Sequence, residues 1–256
     1  MSFRNREKGL PAAPCVDRRT AVVLFMGDAR REERSKRLPA RALSNLHREL
    51  ARSIRRLEFT DSYQVLRRDS EFVFAGPGMI RPLGRAPSLA RQVEAAIESC
   101  FDRGYRNVIL LAGDVGFLRV ATIAGAISLL DHDNGLTVIG PSGDGGFYLA
   151  GFNRRPGIDW STIRWFTREA ADSLKSAAGS DGLAVHEIET IDDIDSIADA
   201  RRIARRPVAG FVSTMQQSLR SALGPAPARD VAFARISHAF LDSSLRRRPP
   251  PTHVAA

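Results

Sequence analysis

Two stretches decide how this chain is read: Leu110 to Leu118, LLAGDVGFL, and Gly140 to Phe152, GPSGDGGFYLAGF. The first follows Asn107, so that NVILLA forms a short continuous apolar run of the kind a buried strand leaves in sequence. Asp114 stands just past the end of that run. An aspartate beside an apolar strand is costly unless it is hydrogen-bonded or holds a cation. From position alone, two readings of Asp114 stand: a ligand for a hard cation that also binds phosphate oxygens, or a cap or hydrogen-bond acceptor for the following segment. The second stretch packs glycines at 140, 143, 145 and 146 around one carboxylate, Asp144, and runs directly into an apolar strand. Asp-Gly also serves plain hairpins. The preceding Gly-Pro-Ser-Gly is more than a hairpin needs, and favours a loop that lets the backbone approach a ligand closely.

Outward from these stretches, strands and helices alternate. Ala21 to Met26, AVVLFM, reads as a buried strand. A charged loop, GDARREERSKR, follows, and then Leu43, Leu46, Leu50, Ile54 and Leu57 recur at helical spacing. Residues 62–66 and 71–75 are strand candidates, and Gly76 to Pro87 reads as a loop. Leu89 to Phe101 predicts a helix capped near Ser88 and ended by Gly104. Val120 to Ile127 predicts another, and Leu136 to Ile139 a strand. A helix is predicted to begin at Ser161, a strand to span Ala184 to Ile188, and a last core helix to span residues 195–205. This order predicts an α/β fold with a mostly parallel sheet covered by helices. In such sheets ligands bind beyond the carboxyl ends of the strands, where Asp114 and the 140–146 loop fall. The predicted organisation is a loose tail at 1–18, a nucleotide-binding domain at 19–206 and a basic, proline- and arginine-rich extension at 207–256 that is partly disordered.

Composition narrows the function classes. The chain has 256 residues, 43% apolar, and a formal net charge of +9. No apolar run approaches the roughly 18 residues of a membrane span, and MSFRNREKGLPAAPC lacks the apolar region of a secretory signal. Two cysteines, Cys15 and Cys100, form no framework. A cytoplasmic setting is expected. The arginines are spread out and no aromatic residues interleave with them, which favours a solvated basic surface over a nucleic-acid site. The five histidines, His47, His132, His186, His238 and His253, do not converge on a zinc pattern. Neither a P-loop nor a dinucleotide fingerprint is present. Lys36 and Arg37, directly before the first helix, would suit phosphates. TIDDIDSIAD, Thr190 to Asp199, sets four aspartates in ten residues; Asp195 caps the last helix, or Asp193 or Asp195 reaches a metal shared with Asp114.

In their order, LLAGDVGFL, GPSGDGGFYLAGF, Asp159-Trp160-Ser161-Thr162 and DDIDSIAD resemble a bacterial family of glycosyltransferase-A-like proteins, the selenodomain-associated or arsenosugar-biosynthesis transferases. Their pattern runs approximately GxDxPxL, GPxxDGGYYLxGL, WST and DxDTxxDL. The resemblance spans roughly residues 20 to 206. A more distant likeness is to phospholactate and molybdenum-cofactor guanylyltransferases. The resemblance implies a nucleotide-diphospho-sugar transferase fold, a three-layer sandwich, and Mg²⁺ or Mn²⁺ held on a diphosphate by Asp114 with Asp193 and Asp195. It implies catalytic roles for Asp144 and Asp114, a nucleotide site at Arg37 and Gly113, beside the Lys36 already read from its charge, and substrate contacts from Gly145, Gly146, Trp160, Ser161 and Thr162. Gly116 stands where that family has proline, and Lys36 where it has threonine.

Three functions fit: transfer of a sugar from a nucleoside-diphosphate sugar to a small-molecule acceptor; nucleotidyl transfer from a triphosphate to a phosphorylated acceptor with release of pyrophosphate; or a diverged, non-catalytic nucleotide-binding module. The first is favoured, on the family likeness.

Overall fold

The computed structural model describes residues 20–26, 40–57, 60–68, 71–85, 87–115, 118–192, 194 and 196–205. The expectations for Cys15, Lys36, Arg37, Gly116, Asp193, Asp195, the tail 1–18 and the extension 207–256 lie outside these residues. In chain order the elements are β1 (Thr20–Phe25), α1 (Ala40–Ile54), β2 (Thr60–Arg68), β3 (Glu71–Gly76), β4 (Met79–Gly84), α2 (Leu89–Asp102), β5 (Asn107–Ala112), α3 (Val120–His132), β6 (Leu136–Pro141), β7 (Phe147–Phe152), a single 3₁₀ turn (Trp160–Thr162), α4 (Ala170–Ser180), β8 (Ala184–Glu187) and α5 (Ile197–Arg205).

The strands form one eight-stranded sheet in the order β4-β3-β2-β1-β5-β7-β6-β8. Its centre is the predicted buried pair: Val23 of β1 sits between Tyr63 of β2 and Leu110 of β5, both parallel to it. Side chains alternate across the sheet. Ala21, Val23, Val108 and Leu110 join one apolar cluster with α2 and α4, through Val93, Ile97, Leu174 and Ala178. Val22, Leu24, Ile109 and Leu111 join a second cluster with α1 and α3, through Leu50, Ile54, Ile123 and Leu130. Helices therefore cover both faces, and α/β with three layers is what the chain forms.

The sheet is mixed rather than mostly parallel. β1–β2, β1–β5 and β6–β8 are parallel, whereas β2–β3, β3–β4, β5–β7 and β6–β7 are antiparallel. The reason is connection length. Parallel neighbours need a crossover of a dozen or more residues, while short links return the chain antiparallel. Ser142 to Gly146 is such a link, and it places β7 between β5 and β6. β4 falls where a loop was expected. It carries Pro82 and has no buried residue, which an edge strand tolerates because one side of its backbone needs no ladder partner.

The helix expected from Ser161 is a second correction. The Asp159 side chain accepts hydrogen bonds from Ser161 N at 3.0 Å and Ser161 Oγ at 2.6 Å, and Thr162 Oγ1 donates to Asp159 O at 2.7 Å. These side-chain bonds compete with helix extension. The result is one 3₁₀ turn, and the helix starts only at Ala170. The cap expected at Ser88 does form. Ser88 Oγ accepts from Arg91 N at 3.3 Å at the start of α2. At the start of α5 it is Ser196 that accepts from Asp199 N, at 3.2 Å. Cys100 is buried in the first core, and burial pushes its thiol up to about 12, which fits the structural role expected for it.

Candidate active site at the carboxyl ends of β5 and β6

Asp114 and Asp144 line one cleft of about 380 Å³, together with Phe25, Leu110, Ser142, Tyr148 and others. A cleft of that size is in the range of small-ligand sites. It opens where β1 and β5 end and where β6 passes into β7, the side of the sheet at which ligands were expected. The structure thus brings Asp114 and Asp144 to one cleft.

The loop carrying Asp144 is tied to its own backbone. Ser142 Oγ donates to Asp144 Oδ1 at 2.6 Å, and Gly146 N donates to the same oxygen at 2.9 Å. Ser142 N donates to Gly146 O at 2.9 Å and Gly145 N to Ser142 O at 3.1 Å, closing the turn. The Ser142 hydroxyl, then the Gly146 amide, with the Arg168 charge nearby, hold the Asp144 carboxyl below the usual carboxylate range against partial burial. Asp144 is therefore ionised throughout the neutral range. Gly145 has φ +91°, and a Cβ on it would run into the Arg168 backbone. Its carbonyl accepts from Ala171 N at 3.1 Å, fastening the loop to the first turn of α4.

The polypeptide after β8 crosses the same strand ends. Ile188 N donates to Ile139 O at 2.9 Å, Ile191 N to Pro141 O at 3.2 Å, and Ile194 N to Asp114 O at 2.9 Å. The acidic segment is thereby laced from β6 across to β5. Asp192 lies against Gly143, whose absent side chain leaves room for its carboxylate. Tyr148 fixes the other side: its hydroxyl donates to Glu189 O at 2.8 Å. Glu189 is in turn forked by Arg119, at 2.7 and 2.9 Å, and bonded by Thr122 at 2.6 Å. Burial pushes the Tyr148 hydroxyl well above its ordinary range, so it stays a donor.

Other predicted residues sit elsewhere. Gly113 is buried beneath the cleft, where a Cβ would come within 2.6 Å of Phe25 O and 2.9 Å of His47 Nε2; close packing accounts for its lack of a side chain. Trp160 is buried in the core, its ring at 90° to that of Phe152 with centroids 5.8 Å apart. Ser161 is exposed, and Thr162 lines a separate, polar groove of about 740 Å³ between the 3₁₀ turn and α4. What this segment brings to the cleft is Trp165, Phe166 and Thr167. Sequence reasoning missed those three and Tyr148. Ser142, two residues before Asp144, did carry a signal, since serine and aspartate at that spacing commonly bond locally. His186 lies on the exposed strand β8, outside the cleft lining.

Among the described residues no group of three or more His, Cys, Asp or Glu could hold a metal by itself. Mg²⁺ commonly takes one or two carboxylates and completes its shell with substrate phosphates and water. Asp114 and Asp144, two carboxylates facing one cleft, suit that chemistry as a donor set.

Residues 46–167 match the family described as "Uncharacterized protein conserved in bacteria (DUF2064)". That stretch contains both Asp114 and Asp144. The fold is similar to the crystal structure of a "putative nucleotide-diphospho-sugar transferase" from Desulfovibrio desulfuricans G20, with TM-score 0.64 and 19% identity over 80% of this chain and 96% of that one. Rv0371c from Mycobacterium tuberculosis H37Rv is a more remote match, with TM-score 0.37 and 16% identity over 73% of this chain and 98% of that one. No curated protein matches the sequence. No helix among the described residues is long and apolar enough to cross a membrane.

Proposed function

We propose that this chain transfers a sugar from a nucleoside-diphosphate sugar to a small-molecule acceptor, with Mg²⁺ or Mn²⁺ as cofactor. The observation that carries the reading is the cleft faced by both Asp114 and Asp144 at the carboxyl ends of the strands, in a fold like that of the Desulfovibrio protein. The motif order resembling the selenodomain-associated transferases supports a sugar donor over a triphosphate.

In this reading Asp114 holds the cation, with Asp193 and Asp195 as the further carboxylates. When bound, the cation neutralises charge on the departing diphosphate. Lys36 and Arg37 bind the phosphates. Asp144, ionised and clamped by Ser142 and Gly146, accepts the hydrogen of the acceptor hydroxyl and aims its oxygen at the sugar. Efficient general bases have a pKa near the working pH, and the lowered pKa of Asp144 makes it an orienting group first and a weak base second.

The test is thermal stability against a panel of nucleoside-diphosphate sugars and nucleoside triphosphates, with and without Mn²⁺ or Mg²⁺, on wild type and Asp114→Ala. A ligand that binds only the folded state stabilises by about 2.7 kcal/mol at a hundredfold excess over its Kd. A metal-dependent shift with a diphosphate sugar, absent in the variant, is expected. A shift with triphosphates alone points to nucleotidyl transfer, and no shift with any nucleotide sinks the proposal.

A further inference from the structure

Phe166 breaks two rules at once. It is the one non-glycine residue with positive φ among the described residues, at +61°, and 90% of it is exposed. A residue with a Cβ avoids left-handed backbone, and a phenyl ring gains nothing from facing water. The turn is held by Phe166's neighbours instead. Trp165 packs on Phe147, with ring centroids 5.8 Å apart, and its Nε1 donates to Trp160 O at 3.0 Å. Thr167 Oγ1 donates to Arg164 O at 2.8 Å and accepts from Glu169 N at 3.2 Å. So the Phe166 ring is held out by a strained backbone, and the place it lines is the mouth of the cleft that contains Asp114 and Asp144. Strain of this kind gathers where a ligand is clamped.

The rest of the cleft shows what such a ring would meet. Below the lip, Phe25, Leu89, Val93, Leu110 and Phe147 present carbon. The charged groups are the two carboxylates, and among the described lining residues there is no lysine or arginine. A phosphate on the acceptor would face these carboxylates with no cationic side chain of the described lining to hold it, whereas a hydroxyl can donate to one of them.

We propose that this part of the cleft is the acceptor site, and that the acceptor is an uncharged hydroxyl compound bearing an apolar or aromatic ring. The ring stacks on Phe166 beside Trp165, and the hydroxyl faces Asp144. The word acceptor rests on the transferase reading above; the binding does not, and it is tested without nucleotide.

The experiment is calorimetric titration of the full chain, free of nucleotide and metal, with naphthol and in parallel with glycerol phosphate. The variants are Phe166→Gly, which accepts positive φ and removes the ring, and Phe166→Tyr, which keeps it. Naphthol binds wild type and the tyrosine variant alike, and the glycine variant binds it about tenfold more weakly with a Tm no lower than wild type. Glycerol phosphate does not bind. Four results overturn the inference: no naphthol binding to wild type, preference for glycerol phosphate, unchanged naphthol affinity in Phe166→Gly, or a lowered Tm in that variant, which would make the ring a packing element. Nucleoside-diphosphate sugars are scored separately by thermal shift, so either reading can fail while the other stands.

Discussion

Gly145→Ala is the sharpest perturbation of the Asp144 loop. Gly145 has φ +91°, a conformation that costs an L-residue about 1–2 kcal/mol. The new Cβ would also overlap the Arg168 carbonyl oxygen and stand 2.7 Å from its carbonyl carbon and 2.8 Å from its Cα. All three are backbone atoms and cannot rotate away. Clearing the oxygen requires the loop to back off by roughly 1 Å or more, and such overpacking costs about 1–3 kcal/mol. The retreat also pulls on the hydrogen bond from Ala171 N to Gly145 O, 3.1 Å long. The sum is about 3 kcal/mol, or a Tm lower by roughly 6–12 °C for a domain of this size. Gly125→Ala is the control, because Gly125 is exposed on α3 and a Cβ there meets open space; it should gain about 0.8–1 kcal/mol. Thermal and denaturant unfolding of the three proteins measures both effects. If Gly145→Ala unfolds within about 0.5 kcal/mol of wild type, the loop geometry argued above is wrong.

Ser142→Ala removes the hydroxyl that donates to Asp144 and should cost about 1 kcal/mol, while the Asp144 carboxyl titrates closer to the ordinary carboxylate range; carbon-detected NMR titration reads the second effect. Asp144 has a lowered folded-state pKa, so its contribution to stability is full above the unfolded value near 3.9 and is lost as pH falls through the folded one. The stability gap between wild type and Asp144→Asn, by denaturant unfolding, should therefore be constant from pH 7 to about pH 5 and narrow below about pH 4; a gap that widens on acidification contradicts the assignment. Tyr148→Phe deletes the bond to Glu189 O and should lower stability by about 1 kcal/mol, seen as a small fall in Tm with no change in the pH profile.

Much of this fold is legible in the sequence because burial on both faces leaves a plain signature. AVVLF and NVILLA are continuous apolar runs, and they are the central strands β1 and β5. β4 left no such trace, since an exposed edge strand can carry Pro82 and Gly84. The mixed sheet was hidden for another reason. Alternation of strands and helices suggests parallel pairing, but the five-residue link into β7 reverses the chain, and nothing in FYLAGF itself records its direction. Around the cleft, Asp114 and Asp144 were readable because strand-end carboxylates beside glycine are chemically conspicuous. Trp160 was assigned to the substrate side from a motif alone, whereas its ring fills the core against Phe152. The lip formed by Trp165 and Phe166 depends on a left-handed turn at a phenylalanine, which no propensity favours and no spacing announces.

The central claim, that Asp114 binds a nucleotide sugar through a divalent cation, is tested most directly by calorimetry. The donor identified by thermal shift is titrated into wild type and Asp114→Ala, each with Mn²⁺ and with chelator. The account predicts tight binding only to wild type with Mn²⁺, while Asp114→Ala unfolds at a similar temperature. Equal affinity in chelator, or in folded Asp114→Ala, would contradict it.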